Sequence, residues 1–256
     1  MIFINMRIRI LSLLCLLSAV TYGQTNDVTS YTGGFSMGTG PEVMDKGKWM
    51  LETGVGSEFL KETDFETDIW SLNTSVIRYG LTQTTEVFAQ TGFVLSDVGG
   101  EVTSGFAPFV IGAMMRVCEE QGIVPLTTLS AWAILPVGIE SIRPNEVAPA
   151  FHALFGHTLS SRWGLSYDLG LEWDGESPKP LTFVSMACSY ELSSRTGLTL
   201  ESYNIFRRHQ SPDFNIDLSF KWKLSRKVLF SAMGTVGLNS VGDELGFLTG
   251  ISWLIN

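Results

Sequence analysis

This 256-residue chain contains the residue types that usually carry chemistry, but they are not spaced for catalysis. His152 and His157 lie five residues apart, which places them on opposite faces of a strand, so they cannot share a metal ion. His209 is isolated beside two arginines. No Cys/His cluster has metal-ligand spacing, and we find no nucleophile elbow, phosphate-binding loop or dinucleotide fingerprint. We therefore expect no enzyme activity, no cofactor and no metal.

Charged residues instead recur at every second position of long apolar segments. Segment 163–173 alternates aromatic and aliphatic residues with small residues, Asp168 and Glu172, and segment 214–224 does the same with Asp217 and Lys221. A period of two is that of a β-strand, whose side chains point alternately to two faces. An eleven-residue strand is about twice the usual length in a soluble domain, but it matches the roughly 9–11 tilted residues that cross a bilayer.

These strands must place their charges on the inner face of a barrel. A lipid-facing charge at mid-bilayer costs about 2–4 kcal/mol for Arg or Lys and somewhat less for an acid. The predicted lumen-lining residues, which are candidates for setting selectivity, are Glu52, Glu86, Asp168, Glu172, Glu201, Asp217 and Lys221. The predicted lipid-facing aromatic residues are Trp49, Trp163, Tyr167, Trp173, Phe214, Trp222 and Trp253. The polar stripes could line a path for solutes or fill a narrow lumen with salt-bridged side chains, and the sequence leaves both open.

The elements that position these residues form an all-β fold, a closed antiparallel transmembrane β-barrel of about 12 strands. Short connections at 81–84, 159–162, 192–195 and 224–227 alternate with longer, acidic or proline-bearing ones, including 96–105, 137–146 and 174–180. Short periplasmic turns and longer outer loops are typical of outer-membrane barrels. The predicted strands are 48–58, 67–78, 84–95, 106–116, 124–136, 147–158, 163–173, 181–191, 196–206, 213–223, 227–238 and 245–255.

The N-terminus predicts export. Residues 1–23 read as a secretory signal peptide with a basic start, an apolar stretch and small residues before the cleavage point. Residues 24–47 read as an irregular N-terminal segment, and residues 48–256 as one outer-membrane barrel. Cleavage removes two arginines and no acids, leaving 15 basic against 26 acidic residues and a net charge of −11. This charge argues against nucleic acid as a partner.

The cysteine count gives no disulfide framework. After cleavage only Cys118 and Cys188 remain. Two thiols, buried or facing lipid, and a single bridge are both compatible with the sequence.

Several segments resemble one family, in this order along the chain: TGPE at 39–42, KGKW at 46–49, LETG at 51–54, RYGLT at 78–82, AWAILPVG at 131–138, HTLSSRWG at 157–164 and GISW at 250–253. Together they resemble the outer-membrane "transporter" family filed under the MetA pathway of phenol degradation. The resemblance implies an outer-membrane barrel that passes small hydrophobic or aromatic compounds, and it brings no catalytic residues. Many such barrels end in an aromatic residue that the barrel-assembly machinery uses. Here Trp253 precedes the final Leu-Ile-Asn and is the residue that could serve.

Three functions are consistent with this pattern. The first is a passive outer-membrane channel with small-molecule solutes and outer-membrane lipid as partners, narrowed by its longer loops. Its acidic excess predicts a mild preference for cations or neutral solutes. The second is a non-transporting barrel with a sealed lumen that binds a partner or supports the envelope. The third is a soluble exported barrel that holds an apolar ligand, which would require the face of Trp163, Tyr167 and Trp173 to be buried.

Overall fold

The computed structural model describes residues 27–61, 66–98, 100–208, 211–239 and 243–255, so the predicted signal peptide lies outside the described residues. Within these ranges the strands are β1 (Trp49–Lys61), β2 (Glu66–Gly80), β3 (Thr85–Val98), β4 (Glu101–Phe106), β5 (Val110–Cys118), β6 (Leu126–Ile134), β7 (Ala148–Thr158), β8 (Trp163–Glu172), β9 (Leu181–Glu191), β10 (Thr196–Phe206), β11 (Asp213–Lys223), β12 (Val228–Gly237) and β13 (Asp243–Leu254). One 3-10 turn, Val28–Ser30, precedes β1. None of the helical residues described here makes a helix long and apolar enough to cross a membrane.

The strands close into a single antiparallel barrel. Except for β4 and β5, each strand pairs with its neighbours along the chain, and β1 pairs with both β2 and β13, which closes the sheet. The first half of β3 pairs with β5 and its second half with β4, so β4 and β5 are two parts of one barrel strand. The barrel therefore has twelve strands in cross-section, and the predicted fold is confirmed.

One predicted loop is a strand pair in the structure. The sequence predicts an outer loop over residues 96–105, but β3 continues to Val98 and β4 runs back from Glu101. Three residues, including Pro108, separate β4 from β5. Proline has no N–H to donate to a neighbouring strand, which explains the interruption. The barrel wall is thus extended outward at this position.

The outer face of the barrel is apolar and bordered by aromatic residues. Beside the short turns, which form the periplasmic rim, Trp49 lies against Tyr79 and Trp163 against Tyr190, with ring centroids 4.3 and 4.5 Å apart. At the opposite, outer rim the aromatic contacts are Phe151–Trp173 and Phe206–Phe214. Tyr167 stacks on Phe155, while Trp222 and Trp253 are each 47% exposed. Trp163 is equally exposed, contrary to what a soluble barrel with a buried aromatic face would require.

The apolar band gives a direct prediction of stability. Leu169 lies in β8 on the outer face and is 49% exposed. We expect Leu169→Arg to lower the free energy of unfolding by about 2–4 kcal/mol, because the guanidinium would face lipid. Leu192→Arg, at a residue 48% exposed in a periplasmic turn, is the matched control and should cost about 1 kcal/mol or less. Urea unfolding in lipid vesicles measures both, and equal losses would contradict the assigned lipid face.

Cys118 and Cys188 do not form a disulfide bridge with each other. Cys118 ends β5 and Cys188 lies in β9, so three strands separate them around the barrel. Of the two arrangements that the sequence left open, the structure therefore excludes a bridge between these two cysteines.

Candidate functional site

The interior of the barrel is partly filled by the chain itself. Residues 27–48, which we call the lumenal segment, precede β1 and lie inside the barrel. The segment follows the inner wall, and its polar contacts reach β12, β10, β8, β6 and β3 in turn. These contacts join Phe35 N to Ser231 Oγ, Gly38 N to Glu201 Oε1, Thr39 N to Asp168 Oδ2, Pro41 O to Thr128 Oγ1, and Met44 N to Glu86 Oε2.

Apolar contacts hold both ends of the lumenal segment. Val28, Tyr31 and Met44 are buried in one cluster with the wall residues Met50, Leu229 and Leu254. Val43 is buried in a second cluster with Met114 and Leu154. These inward-facing wall residues are apolar because the segment covers them. Their burial stabilises the segment by the hydrophobic effect, at about 25 cal/mol per Å² of apolar surface.

The tip of the lumenal segment depends on the close approach of one glycine. Met37 N and Gly38 N donate to the two carboxylate oxygens of Glu201, over 3.1 and 2.9 Å. A Cβ atom at Gly38 would collide with Ser185 Oγ and with Glu201 Oε1. A larger residue would therefore force the Glu201 carboxylate, Ser185 or the tip to shift, and would disturb the two hydrogen bonds that join the tip to the wall.

Arg78 joins the lumenal segment to the barrel wall. Its guanidinium makes a bidentate ion pair with Glu86, with Nε–Oε1 and Nη2–Oε2 distances of 2.8 and 2.9 Å. The same group donates to two carbonyl oxygens of the segment, those of Tyr31 and Glu42. Glu52 lies 3.7 Å from Nη1. A planar five-donor group suits such a junction, because it can pair with a carboxylate and still donate elsewhere.

A second charged cluster surrounds His152, on the outer half of the lumen. Its Nδ1 lies 2.7 Å from Asp168 Oδ1, and its Nε2 lies 3.0 Å from Glu172 Oε1. The ring packs between Trp132 and Phe183, at centroid distances of 4.2 and 5.6 Å. An imidazole facing a carboxylate at each nitrogen can donate to both only as the cation. His152 is thus placed to offset the charge of two acids, rather than to bind metal.

The His152 cluster gives a second prediction. We expect His152→Leu to lower the free energy of unfolding by about 3 kcal/mol, because Asp168 would be left buried without its partner. His157→Leu is the matched control, since His157 faces outward and its Nε2 lies 3.4 Å from the Tyr167 hydroxyl, away from the buried acids. Urea titrations followed by tryptophan fluorescence compare the two variants. A loss for His152→Leu no larger than that of the control would show that the ion pair does not stabilise the barrel.

A third group lies where β10 meets β11. Glu201 and Asp217 are directly opposite each other on these strands, and both are buried. Lys221, four residues further along β11 on the same face, pairs with Glu191. Glu201 is thus shared between the barrel wall and the tip of the lumenal segment, whereas Lys221 faces open space beside it.

Open space remains between the lumenal segment and strands β8 to β11. A cavity of about 310 Å³ lies there, with a wall of hydroxyl groups from Ser166, Ser185, Ser189, Thr199 and Ser219. A second cavity, of about 150 Å³, shares Thr29, Glu191 and Lys221 with it and extends to Arg195 in a periplasmic turn. The two cavities lie side by side along one side of the lumen, towards the periplasmic rim, and we call this polar space the passage.

The seven predicted lumen-lining residues thus fall into three groups. Glu52 and Glu86 lie around Arg78, Asp168 and Glu172 around His152, and Glu201, Asp217 and Lys221 at β10–β11. Only Glu201 and Lys221 of the seven border the 310 Å³ cavity. Sequence reasoning did not identify Arg78, His152 or Gly38 as parts of the site. The alternation of β2 and β7 places Arg78 and His152 on the inner face, and that signal could have found them.

Comparisons with known proteins agree with this architecture. The model of one family, described as "Putative MetA-pathway of phenol degradation", matches residues 32–255. No curated protein matches the sequence. Among solved structures, the chain is similar to the COG4313 outer membrane channel from Pseudomonas putida F1, with a TM-score of 0.68 and 11% identity over 86% of this chain and 100% of that one.

Two further structures share the fold at lower similarity. The KdgM porin in complex with disordered oligogalacturonate gives a TM-score of 0.55 at 8% identity, over 80% of this chain and 99% of that one. The transport unit of the autotransporter AIDA-I from Escherichia coli gives a TM-score of 0.54 at 10% identity, over 91% of this chain and 99% of that one. At these identities the likeness concerns the fold alone.

Proposed function

Because the chain belongs to this MetA-pathway family and folds as an outer-membrane barrel, we propose that it is a passive outer-membrane channel for small solutes. Its residues 1–23 direct export, its residues 48–256 form the pore wall, and Trp253 near the C-terminus meets the barrel-assembly machinery. The outer membrane of a two-membrane bacterium is the corresponding location. Of the seven lumen-lining residues, Glu201 and Lys221 border the passage and can contact the solute directly. The other five act on the solute indirectly, because they set the shape of the passage.

The observation that carries this proposal is the polar passage beside the lumenal segment. Hydroxyl groups inside a barrel destabilise it if they are buried without hydrogen-bond partners. Their presence along the passage therefore indicates that water or solute occupies this space. The passage is lined on the wall side by five serine and threonine residues. Its width suits small molecules, since twelve strands enclose a narrower lumen than the 16–18 strands of open porins.

The finer proposal concerns the chemistry of the solute. The family description names phenol degradation, which suggests aromatic compounds as solutes, and the similar solved structure from Pseudomonas putida F1 is an outer membrane channel. In the outer half of the lumen, the Trp132 ring lies against His152 at a tilt, and Phe183 stacks on Tyr203. An aromatic outer half followed by a hydroxyl-lined inner half suits small aromatic molecules that carry polar groups.

Reconstitution tests the channel function. Purified protein in planar bilayers is expected to give small, discrete conductance steps, and in liposomes to admit small neutral solutes, with and without an aromatic ring, up to a sharp size limit. The matched control is the same barrel carrying bulky residues in the passage, Ser185→Trp and Ser219→Trp, which should abolish both signals. Bilayers that stay silent and liposomes that do not swell would contradict the proposal.

The lumenal segment favours one second candidate, a barrel with a sealed interior that supports the envelope or binds a partner. The segment crosses the lumen and is held by the Arg78 junction and two apolar clusters. This candidate predicts no conductance from the intact chain and clear conductance once the segment is removed. Comparing the intact and shortened proteins therefore separates the two functions.

A further inference from the structure

The two cavities of the passage share three residues, and these residues mark a neck between them. Thr29 of the lumenal segment lies on one side of the neck, and Glu191 and Lys221 of the barrel wall lie on the other. Glu191 ends β9 and Lys221 lies near the end of β11, so the neck is close to the periplasmic rim. A solute that moves from one cavity to the other therefore passes these three residues.

Glu191 and Lys221 form an ion pair across the strand that separates them. Both residues lie directly opposite Gly197 of β10, Glu191 on one neighbouring strand and Lys221 on the other. A Cβ atom at Gly197 would lie 2.5 Å from Lys221 Cε and 3.1 Å from Glu191 Oε2. The glycine thus allows the pair to lie close to the wall instead of projecting further into the neck.

The opposite side of the neck is also fixed in place. The hydroxyl and the backbone N–H of Thr29 both donate to Asp27 Oδ1, over 2.7 and 3.2 Å. The other oxygen of that carboxylate pairs with Lys223 Nζ over 3.0 Å, and Val28 N donates to Arg226 O in a periplasmic turn. The lumenal segment is therefore tied to the wall at the neck, which leaves the ion pair to set the shape of the opening.

The charges around the neck are nearly balanced only while the pair is intact. The larger cavity is bordered by the acids Glu42, Glu191 and Glu201 and by the bases Arg78 and Lys221. The smaller cavity is bordered by the bases Arg195, Lys221 and Lys223 and by one acid, Glu191. Loss of the Lys221 charge would leave acids in excess around the larger cavity, whereas loss of the Glu191 charge would leave bases in excess around the smaller one.

We infer that the ion pair of Lys221 and Glu191 determines the selectivity of the passage, which therefore favours uncharged polar solutes over ions of either sign. An ion that enters a narrow space loses hydrating water, and two opposite fixed charges in contact largely cancel and attract it little. An uncharged polar solute loses less hydration, and it can exchange hydrogen bonds with the pair and with the hydroxyl groups of the passage. The inference rests on the proposed channel function, and it differs from the mild cation preference predicted from the acidic composition.

Reversal potentials of the full-length mature barrel in planar bilayers test the role of the pair. Under a KCl gradient of about tenfold, we expect the unaltered protein to pass potassium and chloride at a ratio of about 1. Lys221→Gln should raise the potassium-to-chloride ratio about 3-fold and Glu191→Gln should lower it about 3-fold, because each variant leaves one fixed charge without its partner. The double variant should return to a ratio of about 1, since neither charge remains.

Solute uptake by liposomes tests the preference for uncharged molecules. Lactamide, lactate and 2-hydroxypropylammonium share a three-carbon skeleton and are neutral, negative and positive. After subtraction of uptake by protein-free liposomes, lactamide should enter faster than either ion. Equal rates for lactamide and one of the ions would overturn the preference, even if the current in bilayers shows that the channel is open.

Gly197→Ala tests the shape of the neck separately from its charge. The added methyl group would push the flexible Lys221 side chain away from the wall. The conductance should therefore fall while the potassium-to-chloride ratio stays near that of the unaltered protein. An unchanged conductance would overturn the assignment of the pair to the narrow part of the passage.

A second ion pair provides the matched control for charge. Arg116 pairs with Glu119 over 2.9 Å, and neither residue borders the two cavities of the passage. Arg116→Gln and Glu119→Gln should each leave the ratio unchanged. Single variants of Lys221 and Glu191 that shift the ratio no more than these controls would overturn the inference while the channel function stands. A complete absence of current from the unaltered protein would overturn the channel function and the inference with it.

Discussion

Deleting residues 27–46, while residues 1–26 are kept for export, is expected to raise the single-channel conductance by roughly an order of magnitude. The lumenal segment contributes no strand to the barrel, since β1 begins at Trp49 and closes on β13. Its removal therefore leaves the wall intact and opens most of the lumen's cross-section, on which conductance depends. Planar-bilayer recordings measure the change, and heat-modifiable migration on gels shows whether the shortened barrel folds.

Point variants test whether the conductance depends on where the tip of the segment lies, and not only on whether the segment is present. Gly38→Val should displace the tip, because a Cβ atom there collides with Ser185 and Glu201, and should give a smaller rise in conductance. Gly33→Val is the matched control in the same segment, since no atom lies within 4 Å of a Cβ built there. Unchanged conductance in both the deletion and Gly38→Val would mean that the segment does not limit flow through the lumen.

The barrel itself was predictable because membrane strands follow a simple physical rule. Lipid on one side and water on the other force strict alternation, so segments 181–191, 196–206 and 213–223 were predicted with the bounds that the structure shows. The error at residues 96–105 arose where that rule stops. There β3 and β4 continue as a paired extension whose residues are mostly polar or acidic, so the sequence reads as a loop although the strands persist.

The position of the lumenal segment was not predictable from alternation, since apart from the 3-10 turn Val28–Ser30 it has no regular secondary structure. A weak signal for it nevertheless exists on the barrel wall. Met50, Leu154, Leu229 and Leu254 occupy inward positions, where a water-filled lumen should favour polar residues. Apolar residues at inward positions indicate that another apolar part of the chain covers them.

The charged pairings could not be derived either, because they depend on register between strands. His152 lies opposite Gly170 on β8, and the missing side chain leaves space for the imidazole ring between Asp168 and Glu172. A shift of one residue between β7 and β8 would turn these groups to different faces. Alternation assigns a face to each residue, but it does not say which residues meet on that face.

The Arg78 junction should matter most for stability. We expect Arg78→Met to lower the free energy of unfolding by about 3–5 kcal/mol, because Glu86 would remain completely buried without its cation. Glu86→Gln in the same background removes the orphaned charge, so the double variant should be more stable than Arg78→Met alone. Urea unfolding in vesicles measures the cycle, with Arg162→Met in an exposed turn as the control.

Conductance shows whether Arg78 acts on the wall alone or also on the lumenal segment. Its guanidinium donates to Tyr31 O and Glu42 O as well as to Glu86, so its loss releases the segment from the wall at two points. We therefore expect Arg78→Met to raise the conductance, and the double variant with Glu86→Gln to keep that rise while regaining stability. The double variant could instead return both the stability and the conductance to the values of the unaltered protein. In that case the apolar clusters hold the segment in place, and Arg78 stabilises the wall only.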